Sequence, residues 1–276
     1  MEQLFRFDGS VIMDYEGTLR DALEKAVKEN ICLHYADITT PYEREKEVYG
    51  KYYLGGLQIR GLNLKGAILN DVVMPNSIFI DVNLTFAKMC RIDLFNSSLI
   101  GTKLFRANLS GADLHYADLS CADLRGTNLA GVNAMNCVLE GADMEYANIK
   151  DMDLHEAILI GVKNMECPMA CPEKGAFYGY KKVNGRYLIS LLIPEDAKRS
   201  SSTSNKCRCS KAEVLNILDL ETKALISEVS SDNYAPITYK EGKMVYPDCF
   251  DEFRWRECTN GIHFFCSRED AINYPY

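Results

Sequence analysis

From Leu54 to Leu159 the same kind of residue returns at every fifth position. Of these 22 consecutive positions only Ala134 is not a large apolar residue. A second column stands two residues earlier and is mostly small, with Ala107, Ala112, Ala117, Ala122, Thr127, Cys137, Ala142 and Ala147. A period of five fits neither the 3.6 of an α-helix nor the 2 of a strand. It fits a coil that turns a corner every five residues, with the central Leu and the small residue pointing inward. Four such sides close a turn, and successive turns stack at strand spacing, so 22 repeats give about five and a half turns and a length of about 26 Å. The second column must be small because four large side chains already fill the axis. Leu57, Leu62, Ile92 and Met152 break that rule and predict local widening.

The full motif is a small residue, Asp or Asn, Leu, a polar residue and often Gly, as in "GADLHYADLSCADLRGTNLAG". It resembles the pentapeptide-repeat family from Leu54 to Gly161. The resemblance implies a right-handed quadrilateral β-helix. An earlier copy in "ICLHYADIT" offers Leu33 and Ile38 as inward residues, and "TPYEREKEVYGKY" reads as a charged insertion after it. Open ends of such a coil need covering. In "EGTLRDALEKAVKEN" the spacing of Leu19, Leu23 and Val27, with Thr18 and Asp21 as a capping box, predicts a helix that caps the first turn. The organisation expected is mainly β in three parts: 1–53 as helix cap, first repeats and insertion, 54–163 as the β-helix, and 164–276 as a compact, mainly β domain.

Residues twenty apart should lie above one another. The position before the central Leu then forms four ladders: Asp93, Asp113, Asn133, Asp153; Lys88, Asn108, Asn128, Asn148; Lys103, Asp123, Asp143, Lys163; and Ser98, Asp118, Val138, Ile158. The first is an acidic face, and some pentapeptide-repeat proteins are acidic rods that mimic duplex DNA. Mimicry through Asp93, Asp113 and Asp153 is therefore one reading. Asp and Asn as corner caps that keep the surface soluble is the other, and the repeat's charge of only −3 favours it.

After Gly161 the period stops. Strands are expected at "AFYGYKKV" and "RYLISLLIP" around an Asn184-Gly185 turn, at "EVLNILDL", at "ALISEVSS" and at "GIHFFC". A second hairpin is expected in "APITYKEGKMVYP" around Glu241-Gly242, and a short helix "REDAINY" capped by Ser267. "EDAKRSSSTSNKCRCSKA" is too polar to be core. In "FDEFRWRE", Arg254 and Arg256 alternate with Phe253 and Trp255, so one pair should face the core. From Cys171 to the C-terminus the chain resembles a domain of unknown function found behind pentapeptide repeats in bacteriophage and prophage proteins. That resemblance implies a phage origin and carries over no catalytic residues.

The richest stretch for chemistry holds Lys198, Arg199, Lys206, Arg208 and Lys211 among Ser200, Ser201 and further hydroxyls. Cations and hydroxyls together suit a phosphate or another anion, against a plain solvated loop. Cys167 and Cys171, separated by three residues, with Cys207 and Cys209, are the candidate ligands for a structural zinc, against isolated core thiols. No cofactor is otherwise called for. His263 sits in an apolar strand, and no triad, carboxylate pair or nucleotide loop stands out, so no catalytic residue is assigned. A net charge of −8 argues against direct nucleic-acid binding, and no apolar run reaches bilayer length. The N-terminus lacks a secretion signal, which points to a cytoplasmic setting, in the infected bacterial host. The leading expectation is a phage-encoded, non-catalytic interaction protein: a rigid β-helix and a C-terminal recognition module aimed at a host protein, including a defence factor. The alternatives are a C-terminal domain that binds or processes a phosphorylated nucleotide through the basic Ser-rich segment, and DNA mimicry.

Overall fold

Each five-residue side meets one geometric demand, a sharp corner without loss of backbone hydrogen bonds. In the computed structural model, which describes residues 2–29, 31–38, 54–232 and 236–275, the corner is built the same way throughout. The residue two after each central position has a left-handed φ at every repeat from Gly56 to Gly161, with values between +52° and +75°. In most repeats the amide of the next residue bonds back to the central carbonyl, as Ala112 N does to Leu109 O at 2.9 Å, whereas Leu57 N and Ser77 N donate to the hydroxyls of Ser77 and Ser97. This is what a type II turn requires, and it explains the recurrent Gly. The Asp or Asn before the central residue accepts the amide two positions on. Phe95 N bonds Asp93 Oδ1 at 3.0 Å, Ser120 N bonds Asp118 Oδ1 at 2.9 Å and Ala130 N bonds Asn128 Oδ1 at 3.2 Å.

Successive turns are joined by parallel bridges between residues twenty apart, and all four expected ladders occur, among them Asp93–Asp113–Asn133–Asp153 and Lys88–Asn108–Asn128–Asn148. In the second, Asn148 donates to Asn128 and Asn128 to Asn108, at 3.0 and 3.1 Å. The central column is buried from Leu54 to Leu154, and Leu159 on the last side is partly exposed. Leu57, Leu62, Ile92 and Met152 are also buried in the second column. Hydroxyls placed there are satisfied by carbonyls of the coil, Ser97 by Met74 O and Thr127 by Leu104 O.

The chain divides into two compact units, Met1–Glu166 and Cys167–Tyr276. The first opens with a hairpin that the sequence did not announce, β1 (Glu2–Phe5) and β2 (Val11–Tyr15). Helix α1 (Leu19–Glu29) follows, with the capping box in place: Thr18 N to Asp21 Oδ2 at 2.7 Å, and Asp21 N to Thr18 Oγ1 at 3.2 Å. Its buried stripe is Leu19, Ala22, Leu23 and Ala26, while Val27 is partly exposed. Arg20 ties the helix to the start of the coil by donating to Gly55 O. Leu33 and Ile38 are fully buried, and their segment stacks on residues thirty-one, not twenty, further on, with Asp37 bridged to Ile68, Leu33 N bonded to Asn63 O and Ile38 N to Ile68 O. The charged insertion that accounts for the longer step lies outside the described residues. Two short strands, β3 (Gln58–Arg60) and β4 (Ile78–Ile80), pair in parallel within the coil.

The second unit contains β5 (Phe177–Val183), β6 (Tyr187–Ile193), β7 (Arg199–Ser201), β8 (Lys206–Cys209), β9 (Ala212–Asp219), β10 (Leu225–Ile226), β11 (Glu228–Ser230), β12 (Thr238–Lys240), β13 (Met244–Val245), β14 (Ile262–Phe265) and α2 (Arg268–Asn273). Its main sheet runs β10-β9-β6-β5-β14-β8-β7, with β13 also on β9, and every pairing is antiparallel. Asn184 and Gly185 have φ of 52° and 66°, the two left-handed positions that a tight β5–β6 hairpin needs. Ser267 caps α2 by accepting Asp270 N. Gly179 lets Phe264 lie against β5, since a Cβ there would meet the Phe264 ring at 2.7 Å.

Three expectations are corrected. The Glu241-Gly242 turn joins strands that go to different partners, β12 to β11 and β13 to β9, so no hairpin forms. "ALISEVSS" splits between β10 and β11, which belong to different sheets. The polar stretch 195–212 contains β7 and β8, with Ser200, Ser201, Ser202, Cys207, Arg208 and Cys209 buried. It is polar and nevertheless largely interior, with Arg208 donating to main-chain carbonyls and Ser201 Oγ accepting Ala170 N. No helix among the described residues is long and apolar enough to cross a membrane.

Candidate functional site

Strand β14 lies between β5 and β8. It pairs with β8 along its whole length, from Ile262–Cys209 to Phe265–Lys206, but meets β5 in register only at Phe265–Tyr180. Lys181, Lys182, Lys206, His263 and Phe265, from these three strands, line a cavity of about 360 Å³ with Ala271, Tyr274 and Pro275 from α2 and the residues after it. That volume is at the lower end of the range for small-molecule sites. Three lysines enter it, and among the described residues no carboxylate side chain does. Uncompensated positive charge in a partly apolar concavity attracts an anion.

The three amines are not equivalent. Lys182 Nζ donates to Ile272 O at 2.6 Å. Lys206 Nζ lies 3.1 Å from Tyr274 Oη and 3.3 Å from Cys258 Sγ, and 5.0 Å from the centre of the Tyr274 ring. Those bonds hold its pKa above the usual lysine value despite burial. Lys181 makes no hydrogen bond or ion pair with any described residue. It lines the cavity with the other two, and burial, then the nearby charge of Lys206, hold its pKa down at about 8. His263 Nε2 is 3.1 Å from Glu257 O, so that nitrogen carries the hydrogen and Nδ1 is unprotonated. Burial, then the charges of Lys206 and Lys181, push His263 down to about 3, which keeps the ring neutral.

Of the residues that the sequence offers for an anion, only Lys206 reaches this cavity. Arg199 donates to five main-chain carbonyls, Pro172, Gly175, Pro194, Glu195 and Ala197, at 2.8 to 3.2 Å. Arg208 is 1% exposed and donates to Asp251 O, Phe253 O and Asn260 O. The two guanidiniums thus face main chain, not a shared anion, and they fasten loops onto the sheet. Lys198 pairs with Glu252 and Lys211 with Asp196. Ser201 Oγ accepts Ala170 N, and Ser200 Oγ is buried with no hydrogen-bond partner.

The four candidate zinc ligands do not converge on one point: only Cys171 and Cys207 meet, and Cys167 and Cys209 bond main-chain carbonyls. Cys167 Sγ bonds Ser202 O and accepts from Arg254, and Cys209 Sγ bonds Ile262 O. Cys207 contacts Cys171 and Cys266, whose hydrogen bonds, with burial, push its thiol far up. Burial pushes Cys209 up to about 12. Among the described residues, no group of three or more His, Cys, Asp or Glu is placed to hold a metal ion. "FDEFRWRE" forms no strand. Arg254 instead donates to Ser201 O and Pro168 O, and Phe253 is exposed.

Residues 58–94, 92–131 and 122–161 match the family described as pentapeptide repeats, in eight copies. The coil is built of pentapeptide repeats. Residues 167–271 match a family of unknown function (DUF5758). Among solved structures, the chain is similar to a pentapeptide repeat protein from the Arabidopsis thaliana thylakoid lumen (24% identity, 41% of this chain and 68% of that one, TM-score 0.19). It is also similar to a pentapeptide repeat protein from the cyanobacterium Cyanothece 51142 (30%, 45% and 66%, TM-score 0.20). A third is QnrB1, a plasmid-mediated fluoroquinolone resistance protein (16%, 41% and 89%, TM-score 0.25). No curated protein matches the chain.

Within the pentapeptide repeats, the carboxylates of the acidic ladder have a structural task. Asp93, Asp113 and Asp153 each accept a main-chain amide at 2.9 to 3.0 Å, and Asp113 also accepts Asn133 Nδ2. The same position carries Asn in other repeats and makes the same bond, so the corner needs the acceptor and not the charge.

Proposed function

We propose that the C-terminal unit binds a small anionic ligand, of phosphoryl or carboxylate type, in the cavity between β5, β14 and α2. The observation that carries this is the convergence of Lys181, Lys182 and Lys206 on one concavity without a carboxylate to balance them. Burying like charges together is costly unless something negative joins them. Phe265, Ala271 and Pro275 supply apolar wall, which suits a ligand with a compact apolar body beside its charge. This keeps the idea of a phosphorylated small molecule but moves it off the 198–211 segment.

The pentapeptide repeats serve, in this reading, as a right-handed quadrilateral β-helix that acts as a rigid scaffold for a recognition protein. The resemblance of residues 171–276 to domains behind pentapeptide repeats in phage proteins supports a phage or prophage origin, a host protein as partner and the cytoplasm of the infected bacterium as the setting. The ligand reading is tested by thermal shift and calorimetry with inorganic phosphate, phenyl phosphate, nucleotides and acetate at constant ionic strength. Phosphate should raise the melting temperature with the logarithm of its concentration above Kd. The double change Lys181→Met with Lys206→Met should abolish that rise. A rise of equal size in the double variant overturns the reading.

A further inference from the structure

We propose that Lys181 is a nucleophile, and that the cavity takes a small anion bearing an aldehyde or keto group and holds it covalently as an imine. The inference rests on the anion-binding reading and adds a reaction to it. Its geometric basis is a division of labour among three amines in one cavity. Lys182 is anchored to Ile272 O, and Lys206 to Tyr274 and Cys258, so both are fixed cationic posts for a carboxylate or phosphate. Lys181 is left with no partner among the described residues, and it opens into the same space. Among the described residues, no carboxylate side chain lines the cavity to hold its ammonium in the charged form.

The chemistry of the surroundings agrees. Only a neutral amine has the lone pair that attacks a carbonyl, and an ordinary surface lysine is neutral in about one molecule in three thousand at pH 7. With its pKa at about 8, Lys181 is neutral in about one in ten. The neutral His263 ring adds no charge and keeps an unprotonated Nδ1 in the cavity wall.

In the step itself the Lys181 Nζ lone pair forms a bond to the carbonyl carbon. The C=O π pair moves to oxygen, which takes up a proton. The nitrogen then loses a proton, the hydroxyl takes up a second proton and leaves as water, and the C=N bond forms as a protonated imine that releases its remaining N–H proton. One amine and one carbonyl give one imine and one water, with no oxidant or reductant. The anionic group of the same molecule stays between Lys182 and Lys206 and orients the carbonyl.

The test uses the full-length protein with pyruvate, a keto carboxylate, and separately with pyridoxal phosphate, an aldehyde phosphate. Sodium cyanoborohydride traps imines, and peptide mass mapping locates them. The expected result is reduction-stable label on Lys181 at least tenfold faster than on surface lysines. The rate should rise with pH around a midpoint near 8, and excess inorganic phosphate should slow it. The probe that labels faster identifies the preferred anion. Lys181→Arg, checked for folding by circular dichroism, should lose this label. Label on Lys181 no faster than on surface lysines with both probes overturns the proposal. If phosphate still raises the melting temperature in that case, the anion-binding reading survives alone. If it does not, both fail.

Discussion

The two units solve the problem of polar backbone in opposite ways. In the pentapeptide repeats most main-chain bonds recur at fixed steps along the chain, as when Leu94 N bonds Asp113 O and Asp113 N bonds Ile92 O. Order there is one-dimensional, and each turn depends on its two neighbours. In the C-terminal unit the fastenings are long arginine side chains that reach across 40 or more positions. Arg208 holds Asp251, Phe253 and Asn260, and Arg254 holds Ser201. The first design repeats one local rule and leaves its surface free to vary. The second invests buried cations in loop closure, which creates a shaped concavity at the cost of stability that a few side chains carry.

The largest expected effect breaks the first unit only. Leu119→Asp places a charge on a fully buried axis, with an expected loss of several kcal/mol. Hydrogen exchange should show protection lost over the coil and kept in β5, β6 and β9. Loss of protection in both units together would show that they are not separate designs. The converse is Arg208→Ala, which leaves three main-chain carbonyls without their donor, at about 2–4 kcal/mol. It should lower the stability of the second unit and spare the coil, whereas the sequence alone would assign Arg208 to ligand binding with no effect on the fold. A melting curve with unchanged transitions would return that residue to the surface.

The pH response should also separate the units. His263 has a folded pKa of about 3 against an ordinary 6.5, so between those values the unfolded chain holds a proton that the folded one lacks. Stability of the second unit therefore rises with pH through that window and is lost as pH falls. Lys181, at about 8 against 10.5, adds a further rise between those two values. Lys181→Met should remove that alkaline rise and stabilise the unit at pH 7 by about 2 kcal/mol. Melting temperatures from pH 4 to 10 in both proteins check this, and an unstable variant would contradict it. The smallest effect sharpens the coil side. Tyr146 is 77% exposed with φ of +58°, a conformation that favours glycine, so Tyr146→Gly should raise the stability of the coil by about 0.5–1 kcal/mol.

Little of the candidate site could be read along the chain, for an identifiable reason. Lys206 stood out within a run of cations, and His263 as a lone histidine in an apolar strand, but neither suggested the other. Lys181 and Lys182 sat in "AFYGYKKV", which reads simply as the first strand of a hairpin. Two adjacent lysines inside a strand were the available signal, because alternation cannot send both to the same solvent face. The arginines of 199 and 208 looked like ligand groups because a sequence displays charge but not the carbonyls that will meet it.

The sequence by itself determined the features that an exact repeat, a turn dipeptide or a capping residue fixes locally. The coil and its ladders follow from a period repeated 22 times, the β5–β6 turn from Asn184-Gly185, and the helix starts from Thr18 with Asp21 and from Ser267. Each is settled within a few residues or by an exact repeat. Only the tertiary structure decided that β14 inserts between β5 and β8, that the polar 198–211 segment becomes interior, and that three lysines share a cavity with no acid. Those outcomes depend on pairings between segments 53 to 85 residues apart, whose choice rests on the fit of whole surfaces and not on any local pattern.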